Sequence, residues 1–275
     1  MSGEVIVDMQ GKIAFVTGAG RGIGRALCRE MLRRGAAGVV IVDLDGELAR
    51  KTAAELGGLG LQCDVTDESA VQAAVAAAIR HYGRIDILVS NAGFGVTELD
   101  LDDALAVPNE TWQRMWQVHV MSHVYASRAV LPGMLERGEG YLVNVASAAG
   151  LLSQVGDTAY SSTKHAAVGL ADSLAITYLE RGIRVSVICP QYVATAITGL
   201  DESLPAGSMP GVLTVEQAAQ AVVDGMEREQ FLILTHPEVL QFFQRKAADY
   251  DRWLAGMRRV RAGLRTAGGF LKVKQ

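Results

Sequence analysis

The alternation of short apolar runs with longer amphipathic segments most constrains what this chain can fold into. Each run is continuous, as in residues 13–17 and 38–43, rather than alternating between apolar and polar residues. Continuous apolar strands are typical of parallel sheets covered by helices on both faces. The pattern therefore predicts an α/β fold with a doubly wound, seven-stranded parallel sheet. The predicted strands are residues 13–17, 38–43, 59–63, 85–90, 141–146, 183–189 and 231–235, and the predicted helices are residues 23–34, 46–56, 68–82, 110–136, 158–180 and 215–227.

The chain divides into a large body and a basic C-terminal extension. Residues 1–237 carry the whole strand–helix pattern and are predicted to form one domain, including a Gly- and Pro-rich loop at residues 192–213. The net charge is −4, but residues 245–275 hold nine Lys or Arg against two Asp, which leaves −11 on the rest. An acidic body is unlike a nucleic-acid-binding surface, so no nucleic-acid partner is expected.

The extension, residues 238–275, has apolar residues at helical spacing with basic residues between them, which predicts a basic helical segment. Three interpretations stay open. The extension packs on the domain or a subunit interface, it lies on a membrane surface, or it is a frayed tail. The acidic body favours packing over membrane binding.

The cysteines bear on the redox setting of the chain. Cys28, Cys63 and Cys189 are odd in number and widely spaced, so neither a disulfide framework nor a metal site is predicted, and buried thiols are expected. The first 12 residues lack a basic start followed by a long apolar stretch, so no signal peptide is predicted. These features favour a reduced, cytoplasmic setting.

The first predicted strand leads directly into a glycine-rich turn, and a helix follows. Glycines let the backbone approach a pyrophosphate, whose charge then faces the helix N-terminus. A tight structural turn would look similar, but the strand before it and the helix after it favour a dinucleotide site. The expected cofactor contacts in this turn are Gly18, Gly20, Arg21, Gly22, Ile23 and Gly24.

Asp43 ends the next predicted strand, where its carboxylate could accept hydrogen bonds from the adenosine ribose hydroxyls. The same charge would repel a 2′-phosphate. No Lys or Arg follows in residues 44–46 to compensate for it. The sequence therefore predicts NAD as the cofactor in preference to NADP.

The third and fourth predicted strands end at the same edge of the sheet as the glycine turn and Asp43, so the loops that follow them begin there. Asp64 could accept from an adenine amino group, and Asn91 could contact the cofactor or could equally pin the loop backbone. The further cofactor-binding candidates are Asp64, Val65, Asn91, Ala92 and Gly93.

Tyr160 and Lys164 lie four residues apart near the start of a long predicted helix, so their side chains share one face. Taking a proton from an alcohol needs a base, and a phenol with a pKa of about 10 is a poor one at neutral pH. A neighbouring ammonium favours the phenolate. Ser147 ends the preceding strand and could donate to a substrate oxygen. The pattern thus predicts an acid–base site beside the dinucleotide turn.

Together, the glycine turn at residues 17–24, the Asn-Ala-Gly sequence at 91–93, Ser147 and the Tyr160-x-x-x-Lys164 pair resemble the short-chain dehydrogenase/reductase family over about residues 10–235. The resemblance implies a Rossmann-type domain, a nicotinamide cofactor and a homodimer or homotetramer. It implies that Tyr160 is the general acid/base, that Lys164 lowers its pKa and holds the nicotinamide ribose, and that Ser147 orients the reacting oxygen.

The loop after the sixth strand matches the family in part. The family usually has Pro-Gly followed by a Val and a Thr, and the backbone there meets the carboxamide. Pro190, Val193 and Thr195 match and are implied cofactor contacts, whereas Gln191 stands in place of the glycine.

A second departure lies in the helix at residues 110–136, where the family places an asparagine that supports a water-linked proton path from the lysine. His119 occupies the matching position. An imidazole can hold a water and exchange protons near neutral pH, so one interpretation adds His119 to the catalytic set with a pH-dependent step. The alternative is that the ring only fills space and the relay is weakened.

The loops expected to border the nicotinamide are apolar, and their charged residues are acids, which suits an uncharged hydrophobic alcohol or ketone. The expected substrate contacts are Phe94, Ala149, Gln154 and Tyr192. The predicted function is an NAD-dependent oxidoreductase that interconverts a secondary alcohol and a ketone or aldehyde. Two alternatives stay open: a 3-oxoacyl thioester reductase and a catalytically weakened nucleotide-binding protein.

Overall fold

A parallel sheet forms the centre of the computed structural model, which describes residues 8–96 and 100–267. Its strands are β1 Ile13–Thr17, β2 Gly38–Asp43, β3 Leu59–Gln62, β4 Ile87–Ser90, β5 Gly140–Val145, β6 Ile183–Ile188 and β9 Leu232–Ile233, and a separate ribbon pairs β7 Tyr192–Val193 with β8 Val212–Leu213. The seven strands of the sheet have the order β3-β2-β1-β4-β5-β6-β9, with parallel pairing throughout. The predicted doubly wound α/β fold is confirmed.

Helices cover both faces of this sheet. They are α1 Gly22–Arg33, α2 Gly46–Leu56, α3 Glu68–Tyr82, α4 Asn109–Trp116, α5 Ser122–Arg137, α6 Thr158–Tyr178, α7 Val215–Glu227, α8 Glu238–Ala248 and α9 Tyr250–Ala267. Helices α1, α2 and α7 pack on one face, and α3, α5 and α6 pack on the other. Along β1, Ala14 and Val16 join the first core while Phe15 joins the second, because successive side chains of a strand point to opposite faces. This explains why the strands read as continuous apolar runs.

The strand order reverses direction at β1. The chain runs outward from β1 to β2 and β3, then returns to place β4 on the other side of β1. In open parallel sheets, ligands bind beyond the carboxyl ends of the strands at such a switch point. Strands β1 to β6 all end at this edge, and the loops that follow them begin there. The topology therefore brings the residues predicted for the site to one place.

The helix predicted at residues 110–136 is interrupted, which corrects the sequence interpretation. A π-helical turn, Gln117–Met121, separates α4 from α5, and His119 and Val120 are buried within it. A π turn holds more residues than an α turn, so it rotates the residues that follow about the helix axis. The spacing of apolar residues does not reveal this insertion, which falls at a position where the sequence departs from the family that it resembles.

The C-terminal extension forms two helices, α8 and α9, as far as residue 267. Asp249 separates them in an extended conformation, and its carboxylate caps α9 by accepting the Arg252 N–H at 2.9 Å. Val239 and Lys246 of α8 are buried. Within residues 8–96 and 100–267, no helix combines the length and apolarity needed to cross a membrane.

All three cysteines are buried, as expected. Burial raises the pKa of Cys28 and of Cys189 to about 12, and that of Cys63 to about 11. A thiol with so high a pKa supplies almost no thiolate at neutral pH. The cysteines are therefore part of the packing and are not nucleophiles.

Candidate active site

The glycine turn after β1 is packed too closely for side chains at several of its positions. A Cβ atom added at Gly18 would lie 2.8 Å from Ala92 Cα, and one at Gly24 would lie 2.6 Å from the carbonyl oxygen of Gly18. At Gly22, by contrast, an added Cβ would meet nothing closer than 3.7 Å. The turn thus packs closely on the residues after β4 but leaves open space beside Gly22, at the start of α1.

The start of α1 borders this space and suits an anion. Its cap residue, Arg21, makes no side-chain capping bond, and the first turn carries no acidic residue. Uncapped N–H groups and the positive end of the helix dipole favour a bound phosphate. Glu202 borders the same space and is paired with Arg25 at 3.0 Å, which offsets its charge. The residues present therefore fit the pyrophosphate of a dinucleotide.

Asp43 joins the end of β2 to the glycine turn. Its carboxylate accepts the Gly20 N–H at 3.0 Å and the Asp45 N–H at 3.1 Å, and it stays partly accessible. A carboxylate has room for further acceptor bonds, so ribose hydroxyls can still bind there. Asp64 also stands at this edge, exposed, with one oxygen bonded to Thr66, while the neighbouring Val65 is buried.

Asn91 pins the glycine turn, which was the structural alternative in the sequence interpretation. Its amide donates to the carbonyl oxygens of Thr17 at 2.9 Å and Gly18 at 3.0 Å. In return, the Thr17 hydroxyl accepts the N–H groups of Asn91 and Ala92 at 3.0 and 3.1 Å. The Asn-Ala-Gly sequence therefore fixes the turn after β1 against the end of β4.

The loop after β6 closes the other side of the site. The carbonyl oxygen of Pro190 accepts the Ala148 N–H at 2.7 Å, which joins this loop to the one that follows Ser147. Gln191, which replaces the family glycine, donates its N–H to His236 Nδ1 at 3.3 Å. Val193 and Thr195 are buried where the β7–β8 ribbon closes the base of the loop.

Ser147, Tyr160 and Lys164 meet at the carboxyl ends of β5 and β6. The Ser147 hydroxyl lies close enough to the Tyr160 phenol to lower its pKa. Lys164 Nζ lies 5.6 Å from the centre of the Tyr160 ring and donates to the carbonyl oxygen of Val145 at 3.1 Å. Asp157 caps the start of α6 by accepting the Tyr160 N–H at 2.9 Å. The predicted catalytic set is thus brought together by one helix and one strand end.

The electrostatics of this set differ from what the sequence led us to expect. Although part of the Tyr160 ring stays accessible, the phenol group is enclosed. Burial, opposed in part by the nearby Ser147 hydroxyl, raises the pKa of Tyr160 to about 12. Burial also lowers the pKa of Lys164 to about 8. The protein's own groups therefore keep the phenol protonated at neutral pH. In the protein alone, desolvation is the largest influence on the pKa of the phenol, and the lowering expected from Lys164 does not offset it.

His119 lies in the site, but both of its ring nitrogens have protein partners. Nε2 accepts the Phe94 N–H at 3.2 Å, so Nδ1 carries the proton and donates to Thr163 Oγ1 at 2.9 Å. Burial, with a smaller effect of the Lys164 charge, lowers the pKa of His119 to about 2. The ring is therefore neutral, which favours the alternative in which His119 packs in the site without exchanging protons near neutral pH. His119 instead ties the Phe94 loop to α6, with its ring 5.5 Å from that of Tyr160.

The predicted substrate residues lie on different sides of this set. Phe94 lines a groove of about 1030 Å³, and its ring faces the Arg114 guanidinium at 5.1 Å. Arg265 from α9 lines the same groove, so two arginines from outside the loops accompany the acidic loop residues. Ala149 is buried beside Ser147, and Gln154 is held by the Ser161 hydroxyl at 2.8 Å. Tyr192 is half-buried in β7.

Sequence reasoning missed two residues that hold the site together. Asp157 is buried, and its carboxylate accepts the Tyr160 N–H and lies close to the backbone of Val96. An Asp directly before a predicted helix is a capping signal that could have found it. Thr163 was missed as the partner of His119, and no sequence pattern marks that contact.

The comparisons agree with this geometry. A family model described as short chain dehydrogenase matches residues 12–203. The chain belongs to this family. Oxidoreductase UcpA of Salmonella typhimurium is 40% identical over 208 residues, which are 74% of this chain and 76% of that protein.

Two solved structures extend the similarity to the fold. A short chain dehydrogenase/reductase from Burkholderia phymatum in complex with NAD has a TM-score of 0.79 at 27% identity, covering 90% of this chain and 96% of that chain. The 3-ketoacyl-(acyl-carrier-protein) reductase from Brucella melitensis complexed with NADH has a TM-score of 0.74 at 30% identity, covering 82% and 96%.

The neutrality of His119 can be tested with His119→Gln. Glutamine can also accept the Phe94 N–H and donate to Thr163. Because the pKa of His119 is about 2, the profiles of kcat against pH for parent and variant should run parallel from about pH 5.5 to 8. An ionisation in that range that is present in the parent and absent from the variant would contradict the assignment.

Proposed function

We propose that the protein is an NAD-dependent oxidoreductase that interconverts a secondary alcohol and a ketone or aldehyde. The observation that carries the proposal is the close approach of Ser147 and Tyr160, with Lys164 Nζ 5.6 Å from the Tyr160 ring centre, at the sheet edge that also holds the glycine turn. A buried phenol, hydroxyl and ammonium beside a pyrophosphate cradle suit proton transfer coupled to a nicotinamide. A bound nicotinamide would supply the ring that takes up or gives up the hydride.

The side chains of the chain would then handle the oxygen and its proton. In reduction, Ser147 donates a hydrogen bond to the carbonyl oxygen, and Tyr160 gives that oxygen its proton as the C=O bond becomes C–OH. In oxidation, the Tyr160 oxygen takes the alcohol proton. The raised pKa of Tyr160, about 12, keeps the phenol protonated at neutral pH, so the proton to be donated is present. Lys164 supplies the positive charge that favours the phenolate whenever the proton has left.

A second candidate keeps this chemistry and changes the substrate to a 3-oxoacyl thioester. Arg114 and Arg265 favour it, because they place two cations beside Phe94 where an acidic carrier or a phosphate-bearing substrate could dock. The pairing of Arg265 with Asp102 at 3.0 Å reduces that charge. An uncharged apolar alcohol or ketone therefore stays the first choice.

The assembly is proposed to be a homodimer or homotetramer in a cytoplasmic setting. Ile176 of α6 is 84% exposed, and Leu179 just beyond it is 53% exposed. Apolar side chains exposed next to one another on a helix support a contact with a second subunit.

Tyr160→Phe tests the proposed chemistry. The variant loses the proton donor but keeps the ring, so turnover of the best substrate among a panel of alcohols, ketones and 3-oxoacyl thioesters should fall by about 10³-fold or more. NADH absorbance follows the reaction, and NADH binding should be retained. Tyr82→Phe, far from the site, serves as the control. Turnover by Tyr160→Phe at the parent rate would remove the proposed function.

The cofactor preference is tested by titration with NADH and NADPH. Asp43 should repel the 2′-phosphate, so the parent should bind NADH about tenfold or more tightly than NADPH. Asp43→Asn keeps an acceptor for the Gly20 N–H but removes the charge. This variant should reduce the difference between the dissociation constants of NADH and NADPH. Tighter binding of NADPH by the parent would show that the NAD assignment is wrong.

A further inference from the structure

Helix α8 places a buried lysine against the loop that follows Ser147. Lys246 is only 5% exposed, and its Nζ donates to the backbone carbonyl oxygens of Leu151 at 2.7 Å and Leu152 at 2.9 Å. These residues come directly after the short turn Ala148–Gly150, which Ser147 caps. One ammonium group of the extension therefore holds the chain between Ser147 and Tyr160.

The same ammonium also reaches α6. Lys246 Nζ lies 3.4 Å from His165 Nε2, and the other ring nitrogen of His165 lies 2.8 Å from the carbonyl oxygen of Ser161. Nδ1 donates to that carbonyl, which leaves Nε2 facing the ammonium as an acceptor. His165 directly follows Lys164 in the chain. The three protons of the ammonium are thus shared between the Ser147 loop and the helix that bears Tyr160 and Lys164.

Aromatic rings of α9 cover this contact. The Trp253 and Tyr250 ring centres lie 4.8 and 5.4 Å from Lys246 Nζ. Attraction between a cation and an aromatic face offsets part of the cost of removing the charge from water. None of the ion pairs in the described part of the chain involves Lys246, so its donors stay directed at the two loop carbonyls.

We propose that Lys246 is a positioning residue that holds the Ser147 loop against the Tyr160 helix and so sets the distance between the two catalytic side chains. The kinetic part of this proposal rests on the proposed oxidoreductase function. A lysine that merely fastened the extension to the body would support overall stability without acting on the loop. The two roles predict different measurements.

Lys246→Met keeps the aliphatic stem and removes the donors. The two loop carbonyls then lose their partner, and kcat/KM for the ketone should fall by about 10- to 100-fold, since small displacements of reacting groups are costly. The dissociation constant of NADH should stay within about twofold, because the glycine turn and Asp43 are distant and share no partner with Lys246. Lys246→Gln retains N–H donors and should recover part of the loss. Arg245→Met, at the exposed neighbouring position, is the matched control and should match the parent.

Hydrogen exchange supplies a readout that needs no substrate. Amides of residues 148–156 should exchange faster in Lys246→Met than in the parent or in Arg245→Met. Unchanged exchange and unchanged kcat/KM would overturn the proposal, and so would a parallel loss of NADH affinity and kcat/KM, which indicates general loosening. Faster exchange in this loop, in a protein whose parent form turns over no substrate of the panel, would support the role of Lys246 and remove the proposed function instead.

Discussion

The close packing of the Ser147 loop on α6 is the contact on which the site depends. A Cβ atom at Gly150 would lie 2.5 Å from the carbonyl oxygen of Lys164, so the turn and the helix meet backbone to backbone. This contact brings Ser147 to Tyr160 and encloses the phenol. The loop is also joined to the one after β6 through the bond from Ala148 to Pro190. The catalytic geometry is therefore a consequence of how two loops and a helix pack.

The same enclosure sets the protonation states. Removing the groups from water favours their neutral forms, which is why the pKa of Tyr160 rises to about 12 while that of Lys164 falls to about 8. The protein alone thus presents an acid, the state needed to protonate a carbonyl oxygen. Taking a proton from an alcohol requires additional positive charge close to the phenol, and an oxidised nicotinamide ring carries such a charge.

Much of the fold could be predicted from the sequence, because continuous apolar strands and amphipathic helices obey local rules. The glycine turn, Asp43 and the Tyr160–Lys164 pair were also identified from spacing within or beside single elements. The contacts that were missed join residues far apart in the chain: His119 with Thr163, Asp157 with the Val96 loop, and Lys246 with the Ser147 loop. The π turn at His119 was missed for a different reason. The buried face of α5 includes Ser122, His123 and Ser127, so the shift that the inserted residue causes in the apolar pattern is hard to recognise.

The most direct test of this account is the pKa of Tyr160, followed by NMR of protein labelled with ¹³C at tyrosine Cζ, with and without NAD⁺. The account predicts that without added cofactor the phenol does not titrate near neutral pH, consistent with a pKa of about 12. Saturating NAD⁺ should lower that pKa by about 1–3 pH units, as a nearby opposite charge does. A Tyr160 phenolate already present at neutral pH without cofactor would contradict the account, because Lys164 alone would then be enough to ionise the phenol.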